Sequence, residues 1–336
     1  MSDPTTTTPP EAPSPRQGSN VQRNLRRVIV VMLVAVAVYF AFAVVSGLRE
    51  LGGRLAGFAW WTFGAALALA FGNYVLRFFK WQYYLRILDI RGVKTSDSFL
   101  TFLSGFVLSV TPGKVGEVFK SLVLFETYGV PAARSAPIVI AERLTDLIGV
   151  IALIAVGSTR FQGGLLWAGA GSALVASILV FVASRTLSTW AIGLVELLPG
   201  PGKKLGPKLR EAYESLHALT RPSHLVLPTF LSVAAWFLEC LALWVILHGF
   251  GKGTSPLAAS FFYATSTLAG ALIPVPGGLG VTETVMQTLM RQLGDVDKAG
   301  ATGAMLLVRF ATLWFAVLVG FGALSILRRR YPKLLA

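Results

Sequence analysis

The chain is poor in the residues on which most soluble chemistry depends. It has one cysteine, Cys240, so no internal disulfide can staple it. Its three histidines, His217, His224 and His248, show no metal-ligand spacing, and no metal centre is expected. Only 14% of residues are charged, against about 25% in an average soluble domain, which excludes an ordinary water-soluble globule. No Walker motif, HExxH, GxSxG or dinucleotide fingerprint is present, so neither an ATP-driven pump nor a familiar hydrolase is indicated, and no cofactor is expected. Acidic residues are the scarcer charge: 16 Asp and Glu against 30 Lys and Arg leave a net charge of +14. In a soluble protein that excess would point to nucleic acid. Here the basic residues fall mostly between apolar runs, so anionic lipid headgroups are the matching partner and no nucleic-acid partner is expected.

Apolar residues are abundant, at 54% of the chain with a mean hydropathy of +0.66, which makes this a polytopic membrane protein. Full-length apolar runs lie at Val28 to Val45, Leu55 to Phe79, Ala136 to Gly157, Gly164 to Ala183, Leu225 to Phe250 and Ala299 to Leu327. They predict an all-α fold with six spanning helices. Residues 1–27, rich in Thr and Pro, are expected to be a disordered cytoplasmic terminus, and 328–336 a cytoplasmic tail. The run Val28 to Val45 has a secretory signal as its alternative reading, because Ala41-Phe42-Ala43 has the small-x-small form of a cleavage site. Trp60, Trp61, Trp81, Tyr83 and Tyr84 fall at helix ends and read as interfacial anchors.

Two further apolar stretches, Ser98 to Val110 and Leu257 to Ile273, are too short to span and stop at related Pro-Gly breaks, PGKVGE at 112–117 and PGGLGVTE at 276–283. Pro and Gly interrupt the hydrogen bonding that lipid-exposed backbone must keep, and paired broken segments in corresponding halves point to a transporter's binding site. Each stretch is therefore read as part of a re-entrant pair, giving about eight membrane segments. With both pairs re-entrant, one side of the membrane carries 21 Lys and Arg and the other six, with Arg77, Arg143 and Arg309 inside helices. The positive-inside rule then places both termini in the cytoplasm, and two fully crossing helices at each break would give the same sidedness. The breaks would face opposite leaflets, as in an inverted repeat. Pro112 pairs with Pro276 and Gly116 with Gly280 at a shift of 164, and Glu117 with Glu283 and Arg143 with Arg309 at 166.

Charges inside a bilayer cost about 2.5 to 3.5 kcal/mol each at a helix centre and persist where they pair or line a wet cavity. The sequence AERLTD puts Glu142 and Asp146 one turn apart with Arg143 about 100° around the helix. Arg309 sits at mid-depth in LLVRFATLW and Glu239 in WFLEC. One reading is a polar route in which Arg143 and Arg309 take a phosphate while Glu117, Glu142, Asp146 and Glu283 hold those cations or an amine. The other is a buried ion-pair network that fixes helix register. Lys114, Glu117 and Lys120 recur every three residues after the first break and could present cations to an anionic headgroup, or Lys120 could snorkel to water. Pro112, Gly113, Gly116, Pro276, Gly277, Gly278 and Gly280 supply the breaks, freeing backbone amides near a ligand or allowing close helix packing. Asn73 and Arg77 read as interfacial. In the loop at 185–224, Leu209, Tyr213, Leu216 and Leu219 have helical spacing, predicting an amphipathic cytoplasmic helix on anionic lipid.

PGKVGEVFKSLVLF, the AERLTD helix and VPGGLGVTETVM, in that order, resemble the flippase-like family found as the membrane domain of lysylphosphatidylglycerol synthetases, over about Val28 to Leu327. That family usually has Arg where Lys114 stands, often a further basic residue after its Glu, and often Arg-Glu where this chain has Thr282-Glu283. The resemblance implies translocation of a lipid with a phosphate headgroup between leaflets of a bacterial inner membrane. The synthetases' soluble aminoacyl-transfer domain has no counterpart here, so the chain is expected not to be an enzyme. A non-transporting scaffold that docks a separate transferase through 185–224 is the rival reading. A second copy of the chain or a partner transferase stays open as an assembly partner.

Overall fold

The computed structural model describes residues 52–53, 55–111, 117–161, 211–273, 275–332 and 334, with 166, 169, 173 and 177. All regular structure among them is helical. The first long helix, α1, is Trp60–Ile87. A short helix α2, Thr95–Ser104, runs on through a 3-10 segment, Gly105–Leu108, to the first break, and α3, Phe119–Tyr128, follows it. A single turn at Ala132–Ser135 leads into α4, Pro137–Ser158. After a helical stretch at 211–219 come α5, Pro222–Gly249, and α6, Pro256–Leu272. Beyond the second break lie α7, Val281–Gln292, and α8, Lys298–Arg309. A π-helical turn, Phe310–Trp314, joins α8 to α9, Phe315–Arg330.

This order repeats. The starts of α1 to α4 recur as the starts of α5 to α8 at shifts of 162 (60 to 222), 161 (95 to 256), 162 (119 to 281) and 161 (137 to 298). Both α1 and α5 have 28 residues. They run antiparallel: the Ala59 amide donates to the Gly249 carbonyl at 3.1 Å, Asn73 Nδ2 to the Ala235 carbonyl at 2.8 Å and Lys80 Nζ to Ser232 Oγ at 2.7 Å. Asn73 and Ala235 are themselves 162 apart, so the antiparallel pair crosses at corresponding positions. The element order of the first half thus recurs in the second with its long helix reversed. The helix starts recur at 161 to 162, whereas the sequence motifs recur at 164 to 166.

Each broken segment is a hairpin. At the base of the first, Tyr128 at the end of α3 donates to Asp97 at the start of α2, 2.7 Å away. At the base of the second, Lys252 before α6 meets Asp297 after α7 at 2.6 Å. Since α2 and α6 begin beside opposite ends of the antiparallel pair, the hairpins enter the bundle from opposite ends. Their tips meet in an apolar cluster that joins Val110 and Leu279 with Leu313, Trp314 and Val317. The arms α2, α3, α6 and α7 have 10, 10, 17 and 12 residues, all below the roughly 20 that a full crossing takes.

Two glycines let each hairpin lie against the long helix that follows the other. A Cβ at Gly157 of α4 would stand 2.8 Å from the Leu257 carbonyl oxygen and 3.0 Å from the Phe261 amide of α6. A Cβ at Gly320 of α9 would stand 2.7 Å from the Val107 amide and 3.0 Å from the Leu103 carbonyl oxygen. Small residues at such crossings bring backbones together where lipid supplies no hydrophobic drive between helices.

Among the described residues three helices are long and apolar enough to cross a membrane: Trp60–Ile87, Pro222–Gly249 and the 33-residue Lys298–Arg330. The third predicted span, Ala136 to Gly157, is α4, which carries Glu142, Arg143 and Asp146. Val28 to Val45 and Gly164 to Ala183 lie outside the described residues, apart from isolated positions in the latter. The apolar run ending at Phe79 underestimates α1, which continues to Ile87 because Arg77, Lys80, Trp81 and Tyr84 are all buried by protein. Trp81 and Tyr84 are thus core residues and not interfacial anchors, whereas Trp60 and Trp61 are 55% and 70% exposed. The apolar face of 211–219 also turns to protein: Leu219 is fully buried in the cluster that contains Trp81, Tyr84 and Leu88, and Leu216 packs on it.

Candidate functional site

The charges of α4 part ways. Glu142 faces α3, where its Oε2 takes Lys120 Nζ at 2.6 Å, with the lysine also 5.0 Å from the Trp81 ring centroid and 5.3 Å from that of Phe102. Asp146 faces α1 and α5: its Oδ1 accepts Lys80 Nζ at 2.6 Å and Ser232 Oγ at 3.0 Å. Lys80 also donates to Thr145 Oγ1 at 3.3 Å. Arg143, on the third face, sets Nη2 2.9 Å from Glu117 Oε2 and 3.2 Å from Asp146 Oδ2. Its side chain, 27% exposed, is the least buried of the group.

The second half builds its pair around the Gly-rich break. Gly277 and Gly278 adopt left-handed φ of 61° and 66°, which only glycine enters without strain, and this turns the Gly277 carbonyl toward α8. Arg309 donates from Nη2 to that carbonyl at 2.8 Å and from Nε to Glu283 Oε1 at 2.5 Å. Glu283 closes the loop by accepting the Gly280 amide on Oε2 at 2.7 Å, a capping contact at the start of α7. Directly after Arg309 the π-turn widens the helix, and the Thr312 carbonyl there accepts the Tyr74 hydroxyl at 3.3 Å. Glu239 of α5 accepts the Tyr263 hydroxyl at 2.7 Å.

Between the hairpin tips lies a cavity of about 370 Å³. Its charged wall is made by Arg77, Arg143 and Arg309 with Glu117, Asp146 and Glu239. Leu268, Leu272 and Ile273 give it an apolar side, and Leu272 and Ile273 are 64% and 45% exposed, so that side opens at the surface of the bundle. The volume falls within the range of small-molecule sites, about 300 to 1,000 Å³.

Of the residues singled out from sequence, Glu117, Arg143, Asp146, Arg309, Gly277 and Gly278 line this cavity, and Glu283 holds Arg309 from behind. Lys120 and Glu142 form a sealed pair away from the cavity wall, 1% and 0% exposed, so Lys120 neither snorkels to water nor reaches the cavity. The cavity-lining charges and the sealed Lys120–Glu142 pair are thus different residues of one cluster. Pro112, Gly113, Lys114 and Gly116 lie outside the described residues. Pro276 opens the second break, and Gly280 supplies the amide that Glu283 accepts. Arg77 was misread as interfacial: it is 6% exposed and lines the cavity. Lys80 carried no assigned role. Their signal was available, since Ala66, Ala70, Asn73, Arg77, Lys80 and Trp81 form one stripe at spacings of three and four, the buried face of α1.

At the base of the first hairpin, outside the cavity, Asp97 accepts Tyr128 and Tyr331 hydroxyls on Oδ2, each at 2.7 Å, and Arg330 Nη1 on Oδ1 at 2.5 Å. Burial alone would raise its pKa, but the hydrogen bonds from Tyr331, Tyr128 and Arg330 outweigh it and hold the carboxyl below its usual range.

The sequence family described as lysylphosphatidylglycerol synthase TM region matches residues 27–320. The chain is also similar to two UPF0104 membrane proteins of Methanocaldococcus jannaschii. One is 24% identical over 275 residues, 76% of this chain and 81% of that protein. The other is 24% identical over 237 residues, 68% and 97% of the two chains. A UPF0104 membrane protein of Methanothermobacter thermautotrophicus is 32% identical over 90 residues, 27% of each chain.

Proposed function

Because the chain belongs to the family of the lysylphosphatidylglycerol synthase TM region, we propose that it is a non-enzymatic lipid translocase, one that carries a phosphate-bearing headgroup between the leaflets of the cytoplasmic membrane. The two hairpins dip into the bilayer from opposite leaflets, and both termini are cytoplasmic. The headgroup, of a phospholipid or a polyprenyl-phosphate-linked lipid, crosses at the tips while the acyl or prenyl chains stay in lipid.

One observation carries this reading: a cavity at the meeting of two inverted hairpins has three arginines and three carboxylates on one wall and exposed apolar residues on another. A charged wall replaces headgroup hydration, which lowers the cost of bringing a phosphate to membrane depth. An apolar mouth lets the tails remain in hydrocarbon, so the transferred group need be no larger than the headgroup. Inverted repeats supply the inward-facing and outward-facing arrangements that alternating access requires, each half taking the other's conformation in turn.

The test is headgroup transfer in proteoliposomes that hold fluorescent phosphatidylglycerol, read by quenching of the outer leaflet. Wild-type protein should raise the quenchable fraction above that of empty vesicles. Arg143→Ala should abolish the gain while the purified variant keeps its helical circular dichroism. Full transfer by a folded Arg143→Ala protein would refute the route.

A further inference from the structure

Resting on that reading, we propose that Arg77 is the direct anion contact of the cavity, with Arg143 beside it, and that Arg309 is a positioning residue for the second hairpin tip.

The argument turns on which edge of each guanidinium is occupied. Nε and Nη2 form the fork that matches two oxygens of a phosphate. In Arg309 that fork is filled, Nε by Glu283 and Nη2 by the Gly277 carbonyl. In Arg77 the same two atoms are buried and have no hydrogen-bond partner among the described residues. Its Nη2 stands 3.7 Å from both Glu117 Oε2 and Asp146 Oδ2, outside hydrogen-bond reach. Phe106, with its ring centroid 5.6 Å from Arg77 Cζ, backs the guanidinium. Nε of Arg143 is likewise buried and unpartnered. Buried donors without an acceptor are costly, and Arg77, a residue of the cavity lining, carries two of them.

The repeat points to the same place. The position of Arg77 is taken in α5 by Glu239, 162 residues on, so the second half has a carboxylate where the first has this guanidinium. A phosphodiester at the fork meets Arg77 and Arg143, and Glu117 and Asp146 stand beside both arginines when it leaves.

The test compares binding of a short-chain fluorescent phosphatidylglycerol with a diacylglycerol of the same tails to the full chain in detergent. Wild type should prefer the phosphatidylglycerol. Arg77→Gln should weaken that binding about tenfold or more and leave diacylglycerol unchanged. Arg77→Lys, which keeps the charge and loses the fork, should recover only part, and Gly322→Ala, away from the cavity, should keep the preference. If Arg77→Gln unfolds, Arg77→Gln/Glu117→Gln, which removes one charge of each sign, should still lack the preference. A wild type without preference overturns the translocase reading for phosphate lipids. A wild type with it and a folded Arg77→Gln that retains it overturn this inference alone and leave water as the partner of the fork. Displacement of the lipid by an equal concentration of glycerol phosphate supports Arg77 as an anion contact but reassigns the occupant to a soluble phosphate ester.

Discussion

Arg309 binds Glu283 through Nε and Oε1 across 26 residues of sequence, the interval that also separates Arg143 from Glu117. In each half the acid follows the break and the arginine comes from the next long helix. The pairs are alike in spacing and unlike in setting. Glu283 and Arg309 are 2% and 9% exposed at the side chain, whereas Arg143 is open to the cavity.

That difference predicts different costs of removal. Arg309→Gln leaves Glu283 buried without its cation and lets the Gly277 carbonyl go, so it should destabilise by about 3 to 5 kcal/mol in denaturation of the detergent-solubilised protein. Arg309→Gln/Glu283→Gln should regain at least half of that. Arg143→Gln should cost less than Arg309→Gln, and the reverse order would contradict the structural assignment of the second pair.

The two close helix crossings give a prediction with opposite signs at similar residues. Alanine in place of glycine stabilises an ordinary helix interior by about 0.8 to 1 kcal/mol. Gly157→Ala and Gly320→Ala place a Cβ against backbone at 2.8 Å and 2.7 Å and should destabilise, by about 1 to 3 kcal/mol. Gly322→Ala, with nothing within 4 Å of the added carbon, should be neutral or stabilising. Thermal unfolding of the three variants decides it.

Opposite entry of the hairpins can be read from one labelling experiment. Cys240 is fully buried and should stay silent to an impermeant maleimide. Thr95→Cys, at the base of the first hairpin, should label from the cytoplasmic side, and Lys298→Cys, beyond the second, from the other. Labelling of both from one side would dismiss the inverted arrangement in the membrane.

The Asp97 contacts fasten the base of the first hairpin to the end of α9, and their pH dependence has a definite sign. A carboxyl with its folded pKa held down contributes stability that is present above its unfolded value, about 3.9, and lost as pH falls through the folded value. The stability difference between wild type and Asp97→Asn should be about 1.5 to 3 kcal/mol at pH 7, unchanged at pH 5, and should shrink only below about pH 4. A difference that fades near pH 6 would place the titration on another group.

The membrane class, the two breaks and the recurring Glu and Arg were legible because each is a local property. Mean hydropathy is a sum over residues, Pro and Gly act on their own backbone, and a charge in an apolar run is conspicuous. The repeat was legible in the motifs and sharpened by the helices, whose starts recur at 161 to 162. The apparent end of α1 at Phe79 was an error of the same locality: hydropathy charges Arg77 and Lys80 their full transfer cost, yet Lys80 meets Asp146, 66 residues away, at 2.6 Å. Tyr84 looked like an anchor for the same reason, and so did the apolar face of 211–219, whose Leu219 packs with protein.

The sequence alone settled that this chain lives in a membrane, where its backbone is interrupted, and which ionisable residues are too costly to be accidental. Only the tertiary structure decided what each charge faces. The antiparallel crossing of α1 and α5 at Asn73 carries Arg77 into the cavity, and the left-handed turn at Gly277 fills the fork of Arg309. Transfer energies belong to single residues, but pairing belongs to neighbours that the fold brings together, and in hydrocarbon the pairing sets whether a charge is sealed or left able to bind.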